Sequence, residues 1–401
     1  MSATPLAGVR VVDLSRHLPG PLAAHLLADL GARVVKVEEP LAGDPLRSTS
    51  PRRQGHGPLA ALLLSGVESV ALDLKQPAGR AVVERLLVEA DVLLETFRPG
   101  TLARLGFDPA GLRARHPRLV VCSLSGWGQE GPDAGRAGHD LSYQAAAGTL
   151  APTAPEPVVP AVPVADLVGA WGAVGAILAA LVERQRTGAG CLVDAALFDA
   201  AAHANLIAWA AEASHPRQVG EALPLSGALP CYGVYRTADG GFLALALLEP
   251  HFWRRFCVAA GRPELVRRQY SPSPRARRRV AALVASRPRA EWAALLARED
   301  LPGGPVLSAA EVRRHPQMRA RAVLAEGPDG LPRLRYPARF DGHRPAAGLR
   351  LPAVGEQTAD VLRELGMDSA PGIGRPTFWQ RLMARLRRLG PGDHHQRQVV
   401  P

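Results

Sequence analysis

Two proton acceptors of different kinds lie on either side of a proline-rich arm near the middle of the sequence. His139 stands in GHDLSY, and Asp166 stands 27 positions later in VPVADLVGAWGAVGAILAALVERQRTGAG, directly before an apolar run without a charge until Glu183. An imidazole and a carboxylate can each serve as a general base. The pair therefore predicts acid–base chemistry if the fold brings the two side chains together.

Asp166 also has a purely structural interpretation. The Ala, Leu and Ile content and the absence of proline predict a helix over 167–185, which makes Asp166 its N-cap. A carboxylate there accepts backbone N–H groups and is favoured by the helix dipole. The same N–H groups could instead hold an oxyanion while the carboxylate attacks a carbonyl or accepts a proton. Position alone leaves both interpretations open, and a lone loop histidine such as His139 is more often structural than catalytic.

The elements around these residues indicate a parallel sheet covered by helices. Apolar runs predict strands, and Leu/Ala spacing predicts helices between them, over the strands 9–14, 33–38, 69–74, 91–95 and 118–124 and the helices 21–30 and 78–90. The GxGxxG spacing at 126–131 leads into further loop residues rather than a helix, so a nicotinamide cofactor is not predicted.

The second half of the chain predicts a smaller α+β domain. Alternation and an Asp-Gly-Gly turn indicate a hairpin at 231–248, and helices follow at 250–260, 263–269, 276–286 and 289–298. The predicted organisation is a large α/β domain at 1–210, a linker at 211–224, the small domain at 225–310, a return segment at 311–369 that joins the large domain, and a basic tail at 370–401. An amphipathic helix is one interpretation of TFWQRLMARLRRL in that tail.

Composition excludes several classes of protein. The 401 residues contain 47% hydrophobic residues, which is ample for a core, and the net charge of +11 is mostly scattered arginine. Because RARRR at 275–279 has no interleaved aromatics, nucleic-acid binding is not predicted. Four cysteines without CxxC spacing predict neither a disulfide framework nor a metal site, and a cytoplasmic location fits. The longest apolar run is short and glycine-rich, so no membrane span is predicted.

Several longer sequence motifs resemble those of a known protein family. PLAGVRVVDLSRHLPGPLAAHLLADLGARVVKVEEP, SVALDLKQPAGR, ADVLLETFRPGTLARLG, GHDLSY, VADLVGAWGAVGAILAALVERQRTGAG, VDAALFDAA and LPGGPVLSAAEV occur in collinear order over roughly 5–366. The chain resembles the family III CoA-transferases (CaiB/BaiF type), and most closely their α-methylacyl-CoA racemase branch. This resemblance implies a Rossmann-like large domain, a smaller α+β domain and an interlocked homodimer, with the site between one chain's large domain and the other's small domain.

The resemblance also implies roles for particular residues. The racemase branch uses a His in GHD, an Asp in the VAD position and a Glu in an EP pair, which correspond here to His139, Asp166 and Glu249. Racemisation at carbon 2 of an acyl thioester needs a base on each face and donors at the thioester oxygen, for which the N–H groups at the start of the helix after Asp166 are candidates. Glu249 could orient the imidazole. In the transferase branch the Asp is instead a nucleophile, and a non-catalytic acyl-CoA or carrier-protein binder is a third alternative.

Coenzyme A is expected as part of the substrate, without a separate cofactor. ETFRPGTLARLG matches the family's CoA-contacting words, which makes Arg98 and Arg104 candidates for phosphate contacts and places Tyr143 near the thioester. Two departures remove positive charge from the expected nucleotide site: LLLSGVES replaces a basic word, and Glu39 stands where some racemases have arginine. They predict weak CoA binding, a different acyl carrier such as a pantetheine-loaded protein, or an enzyme that has lost its activity.

Overall fold

The computed structural model describes residues 4–52, 57–150, 157–214, 225–346 and 348–367. This part of the chain divides into two compact units. The first comprises the described residues of 1–143, 163–200 and 319–401, and the second comprises those of 144–162 and 201–318. These limits differ from the predicted domain boundaries at 210, 225 and 310. The predicted tail helix, residues 215–224 of the linker and residues 151–156 of the proline-rich arm lie outside the described residues.

A six-stranded parallel sheet forms the centre of the first unit, in the order β3-β2-β1-β4-β5-β6. Its strands are β1 Arg10–Asp13, β2 Arg33–Glu38, β3 Glu68–Ala71, β4 Val92–Glu95, β5 Val120–Ser125 and β6 Leu192–Ala196. Most residues of β1 to β5 are buried, as expected for a sheet covered on both faces, and this explains their runs of Val and Leu. The predicted parallel sheet is therefore confirmed, and β2 has the predicted bounds.

The helices cover the sheet and build most of the second unit. In chain order they are α1 Pro19–Asp29, α2 Pro58–Leu63, α3 Pro77–Leu87, α4 Thr101–Arg104, α5 Pro109–Arg115, α6 Asp140–Ala146, α7 Val164–Thr187, α8 Leu197–Ala204, α9 Leu206–Ser214, α10 Pro250–Ala259, α11 Pro274–Val284, α12 Arg289–Arg298, α13 Ala309–Arg314, α14 Pro316–Arg321 and α15 Thr358–Glu364. Several begin with proline, whose fixed φ and missing N–H suit the first helical turn. The alanine-rich segment after β6 is divided at Asn205 into α8 and α9.

The core of the first unit lies between the sheet and helices α3, α5 and α15. It contains Val12, Leu14, Val35, Val37, Val70, Leu72, Val82, Val83, Leu87, Leu93, Phe107, Leu112, Val121, Val361 and Leu362. The C-terminal segment docks beside edge strand β3. There the amide of Ala71 donates to Thr358 Oγ1 at 2.9 Å and the amide of Gly355 donates to Ser69 Oγ at 2.8 Å. This segment also contains the antiparallel pair β10 Leu324–Glu326 and β11 Pro332–Leu334.

The second unit contains a three-stranded antiparallel sheet of β7 Tyr232–Arg236, β8 Phe242–Ala246 and β9 Gly303–Pro305. The predicted hairpin is therefore confirmed, and Gly240 at its turn has a φ of 79° that glycine adopts without strain. Helices α10, α11 and α12 pack on this sheet around Trp253, Phe256 and Trp292, which are fully buried.

One described helix, α7, is long and apolar enough to cross a membrane by length and composition alone. The helix has 24 residues and extends beyond the charge-free apolar run on which the sequence-based expectation of no membrane span rested. In this structure α7 packs against α1, β5 and β6 of its own unit.

Candidate active site

Asp166 is the third residue of α7, not its N-cap. The helix begins at Val164, and its N-cap is Pro163. The predicted N-cap assignment was wrong because Val164 and Ala165 already have helical conformation and extend α7 toward its N-terminus. The Leu167 amide donates to Pro163 O at 3.0 Å, so this predicted oxyanion donor is already engaged. The N–H groups at a helix start that lack intrahelical partners belong to its first residues, here Val164 and Ala165.

A second carboxylate, Asp140, lies beside Asp166. The backbone amide of Asp166 donates to Asp140 Oδ1 at 3.1 Å, which links the start of α7 to the start of α6. Burial, and secondarily the negative charge of Asp140, raise the pKa of Asp166 from 3.8 to about 7. Near neutral pH this carboxyl is therefore populated in both its protonated and its ionised form, as a group that transfers protons requires.

His139 immediately precedes Asp140 in the chain. Its carbonyl accepts the amide of Ser142 at 2.7 Å and that of Tyr143 at 3.3 Å, so His139 occupies the end of the loop from which α6 starts. Its side chain is exposed. The structure thus places this imidazole one residue from the carboxylate that binds the start of α7. The two sequence-predicted bases belong to the same small region.

Tyr143 and Arg98 belong to the same region. Burial and the charge of Asp166 raise the pKa of the Tyr143 phenol, whereas Arg98 lowers it, so all three groups are close enough to interact electrostatically. The Tyr143 ring is buried and meets Trp127 edge to face at 5.0 Å between ring centroids. It packs so closely on Gly126 that a methyl group there would lie 2.2 Å from the phenol oxygen. Glycine at 126 is therefore required by this ring.

The other two predicted site residues are placed differently. Arg104 is exposed on α4, where its Nη2 donates to Thr101 Oγ1 at 2.7 Å. Glu249 belongs to the second unit and is the N-cap of α10, where its carbonyl accepts the Trp253 amide at 3.1 Å. Its side chain is exposed. Because His139 belongs to the first unit, the orienting role predicted for Glu249 stays a prediction.

The structure adds one titratable residue that the sequence reasoning missed. His17 follows β1 in the loop before α1 and has a φ of 68°, a left-handed conformation that is uncommon for residues other than glycine. Burial lowers its pKa, Asp44 opposes this effect, and the nearby charges of Arg16, His139 and Lys36 lower it further. His17 is thus near His139. In the sequence, His17 could have been found from its position in the turn after the first strand, where ligands of open parallel sheets bind.

A cleft of about 270 Å³ opens at the carboxyl ends of β1 to β4. The strand order reverses between β1 and β4, and ligands of doubly wound sheets bind at this switch point. The cleft is lined by Leu14, Ser15, Arg16, Val37, Glu38, Glu39, Gly43, Asp44, Leu72, Asp73, Leu74, Lys75, Phe97, Thr101 and Leu105. Three of these are close chain neighbours of the predicted Arg98 and Arg104. Sequence reasoning did not predict the set because its members follow four separate strands.

The two sequence departures have distinct positions. In LLLSGVES, Leu64 and Ser65 are fully buried and Ser65 Oγ donates to Ala61 O, while the charged residue of this segment, Glu68, pairs with Arg33. Glu39 lies on the cleft wall, where Glu39 Oε2 accepts the amides of Leu41 and Ala42 at 3.1 and 2.7 Å. The fold and this region together define an α/β enzyme with a ligand cleft at the sheet's carboxyl edge and a protonatable carboxyl at a helix start.

The chain belongs to CoA-transferase family III, whose sequence model matches residues 6–358. It is 35% identical to the human protein named alpha-methylacyl-CoA racemase, over 90% of this chain and 93% of that protein. It is also 35% identical to the succinate–glutarate CoA-transferase of Agrobacterium fabrum, over 90% and 96% of the two chains. A CAIB/BAIF family protein from Brucella suis superposes with a TM-score of 0.80 at 32% identity, over 90% of this chain and all of that one. The chain is therefore an enzyme of the racemase and CoA-transferase class.

Proposed function

We propose that this enzyme is a 2-methylacyl-CoA racemase. The main support for this proposal is that Asp166, partly buried beside Asp140, has a pKa of about 7. A general acid–base group is most effective when its pKa is near the operating pH, because both of its forms are then available. His139, one residue from Asp140, supplies a second group able to exchange protons.

The reaction requires two proton transfers at carbon 2. Ionised Asp166 takes the proton from one face, and the electron pair of the broken carbon–hydrogen bond forms the enolate, whose negative charge lies on the thioester oxygen. Protonated His139 then gives a proton to the opposite face, which forms the new carbon–hydrogen bond and inverts the centre. The amides of Val164 and Ala165 are the candidate donors to the thioester oxygen. Arg98, Arg104 and Tyr143 are the candidate contacts of the CoA chain, and Glu249 the candidate partner of the imidazole.

Isotope exchange tests this function. A single enantiomer of a 2-methylacyl-CoA is incubated in heavy water without any acceptor acid, and deuterium at carbon 2 and optical inversion are followed. The wild-type enzyme should do both, and Asp166→Asn should do neither. Asp199→Asn is a matched control, because Asp199 is the exposed third residue of helix α8. If His139→Ala retains near-full exchange from both enantiomers, the proposed two-base mechanism is wrong.

The second candidate is a CoA-transferase that uses Asp166 as nucleophile. It is favoured by the equal identity of the chain to a racemase and to a CoA-transferase. In that reaction the carboxylate attacks the thioester carbonyl, which releases CoA as a thiolate and leaves a mixed anhydride. The thiolate then attacks the Asp166 carbonyl of this anhydride, which releases the first acid and forms an enzyme-bound CoA thioester, and an added acid takes over the CoA through a second anhydride. Movement of CoA that depends on an added acid, together with tolerance of His139→Ala, would identify it. Binding of acyl-CoA without either reaction would identify a non-catalytic homologue.

We further propose that the enzyme is a cytoplasmic homodimer. In the first unit Val182 of α7 is 67% exposed and Leu192 on edge strand β6 is 45% exposed, and in the second unit Leu206 and Trp209 of α9 are 56% and 53% exposed. Apolar side chains of this size and an uncovered sheet edge are the features that a second copy covers. Light scattering should give twice the chain mass, and a stable monomer at micromolar concentration would contradict this assembly.

A further inference from the structure

The cleft at the carboxyl edge of the sheet has apolar walls and an acidic rim. Leu72, Leu74, Phe97 and Leu105 offer an apolar surface suited to a heteroaromatic base. Six charged side chains also line the cleft, four of them carboxylates and two of them cations: Glu38, Glu39, Asp44, Asp73, Arg16 and Lys75. A site for a ligand with several phosphates would be expected to have the opposite balance.

Two of the four carboxylates form ion pairs within the fold. Glu38 is held by the guanidinium of Arg47, with N to O distances of 2.7 and 2.8 Å. Asp44 Oδ2 lies 3.1 Å from Nζ of buried Lys36, which is also 3.1 Å from Asp13 Oδ2. Both cleft carboxylates are therefore already engaged by cations of the protein.

The other two carboxylates keep their charge available to a ligand. Glu39 accepts two backbone amides, and Asp73 Oδ1 accepts the amide of Lys75 at 3.0 Å. Neither forms an ion pair with any residue that the structure describes, and both are partly exposed. Glu39 directly follows β2, and Asp73 lies two residues beyond β3.

An acidic residue after the second strand has a known chemical consequence in doubly wound sheets. A carboxylate there accepts hydrogen bonds from ribose hydroxyls, whereas an arginine accommodates a phosphate on the ribose. Coenzyme A carries a phosphate on its ribose at the 3′ position, and 3′-dephospho-CoA carries a hydroxyl there. Repulsion between the Glu39 carboxylate and a ribose phosphate bound beside it lowers affinity by about tenfold or more. Arg16 and Lys75 of the cleft, with the candidate contacts Arg98 and Arg104, remain for the diphosphate that both ligands share.

We propose that Glu39 makes this cleft select an adenine nucleotide with free ribose hydroxyls, so that the enzyme prefers 3′-dephospho-CoA thioesters to CoA thioesters. The inference rests on the proposed function for its choice of thioester substrates. It concerns the nucleotide end of the substrate, away from the reacting carbon.

Binding and turnover are measured with matched ligands. Calorimetric dissociation constants are determined for CoA and 3′-dephospho-CoA, and kcat/KM for exchange at carbon 2 is determined for the 2-methylacyl thioesters of CoA, 3′-dephospho-CoA and pantetheine. The wild-type enzyme should favour the dephospho forms by about tenfold, and added salt should reduce this ratio because it screens the repulsion. Glu39→Gln should bring the ratio near one, and Glu39→Arg should reverse it. Glu89→Arg is the control, because the exposed Glu89 precedes the amino end of β4, at the opposite edge of the sheet.

Each result has a defined meaning. The proposed preference for 3′-dephospho-CoA is overturned if the wild-type enzyme binds CoA equally or more tightly. It is also overturned if Glu39→Arg leaves the ratio of the two affinities unchanged. Equal turnover of the pantetheine and dephospho-CoA thioesters also overturns it, because the cleft would then not recognise a nucleotide and a carrier-bound pantetheine would be the better substrate. Exchange with the pantetheine thioester would show that the proposed chemistry stands even if the nucleotide preference fails. Absence of exchange with all three thioesters, together with the predicted difference in binding, would overturn the racemase function and leave the cleft selection intact.

Discussion

Replacing Asp166 by Asn tests whether the ionised carboxylate stabilises or destabilises the fold. A carboxylate that caps a helix stabilises the fold, whereas a carboxyl whose pKa is raised on folding destabilises it when it ionises. The pKa of Asp166 is raised from 3.8 to about 7 in the folded protein. A carboxyl whose pKa is raised on folding destabilises the fold once it ionises, since the unfolded chain releases the proton more readily. This cost is absent below about pH 4, grows as the pH rises, and is complete above about pH 7.

The size of this cost follows from the two pKa values. A difference from 3.8 to about 7 corresponds to at most about 4 kcal/mol, and the exposed part of the side chain reduces this to about 2–4 kcal/mol. Asp166→Asn removes the ionisation and keeps the side-chain volume. We therefore expect the variant to be inactive but more stable than the wild-type enzyme at pH 8, by a larger margin than at pH 5.

Denaturant and thermal unfolding of both proteins at pH 5 and pH 8 measure this difference. The gain at pH 8 should raise the unfolding midpoint by a few degrees, and less than half of it should remain at pH 5. Asp199→Asn should show no comparable dependence on pH. If Asp166→Asn is less stable than the wild-type enzyme at pH 8, the Asp166 carboxylate stabilises α7 and its pKa is not raised.

Three further substitutions test other parts of the structure. His139→Ala should abolish inversion at carbon 2 with less than about 1 kcal/mol change in stability, because its side chain is exposed; exchange assays and thermal unfolding check this. Gly126→Ala should displace the Tyr143 ring and cost about 1–3 kcal/mol with loss of activity, whereas Gly135→Ala, where a methyl group meets nothing within 4 Å, should do neither. Lys36→Met should destabilise the fold by about 3–5 kcal/mol in denaturant unfolding, because it leaves two buried carboxylates unpaired. The control Lys75→Met should have little effect, because Lys75 is exposed.

Much of the fold could be predicted because its signals are local. The Val-rich strands, the proline-initiated helices and the hairpin in the second unit are each contained in fewer than about twenty consecutive residues. The strand order is set by packing between distant segments, so the sequence did not reveal it. The cleft was missed for the same reason, since Glu39, Asp73 and Phe97 meet only after three parallel strands have aligned.

The candidate site was predicted unevenly. His139, Asp166 and Tyr143 were found because they stand in distinctive sequence motifs, and the structure brings their regions together. His17 is a single histidine in a turn, and only its left-handed backbone and its proximity to His139 distinguish it. The segment LLLSGVES was interpreted as a loss of positive charge at the nucleotide site, which stays a prediction, and the structure adds that its Leu64 and Ser65 are buried.

The incorrect N-cap assignment explains how Asp166 can have a pKa near neutrality. An N-cap carboxylate accepts backbone amides, and such hydrogen bonds favour its ionised form and lower its pKa. Here Asp140 accepts the Asp166 amide, and α7 begins two residues earlier, so the start of the helix does not depend on the Asp166 side chain. Burial is the main cause of the raised pKa of Asp166, and the Asp140 charge that binds this amide adds to it. The neighbouring carboxylate thus binds the first turn of the helix and reinforces the effect of burial that keeps Asp166 able to exchange a proton at neutral pH.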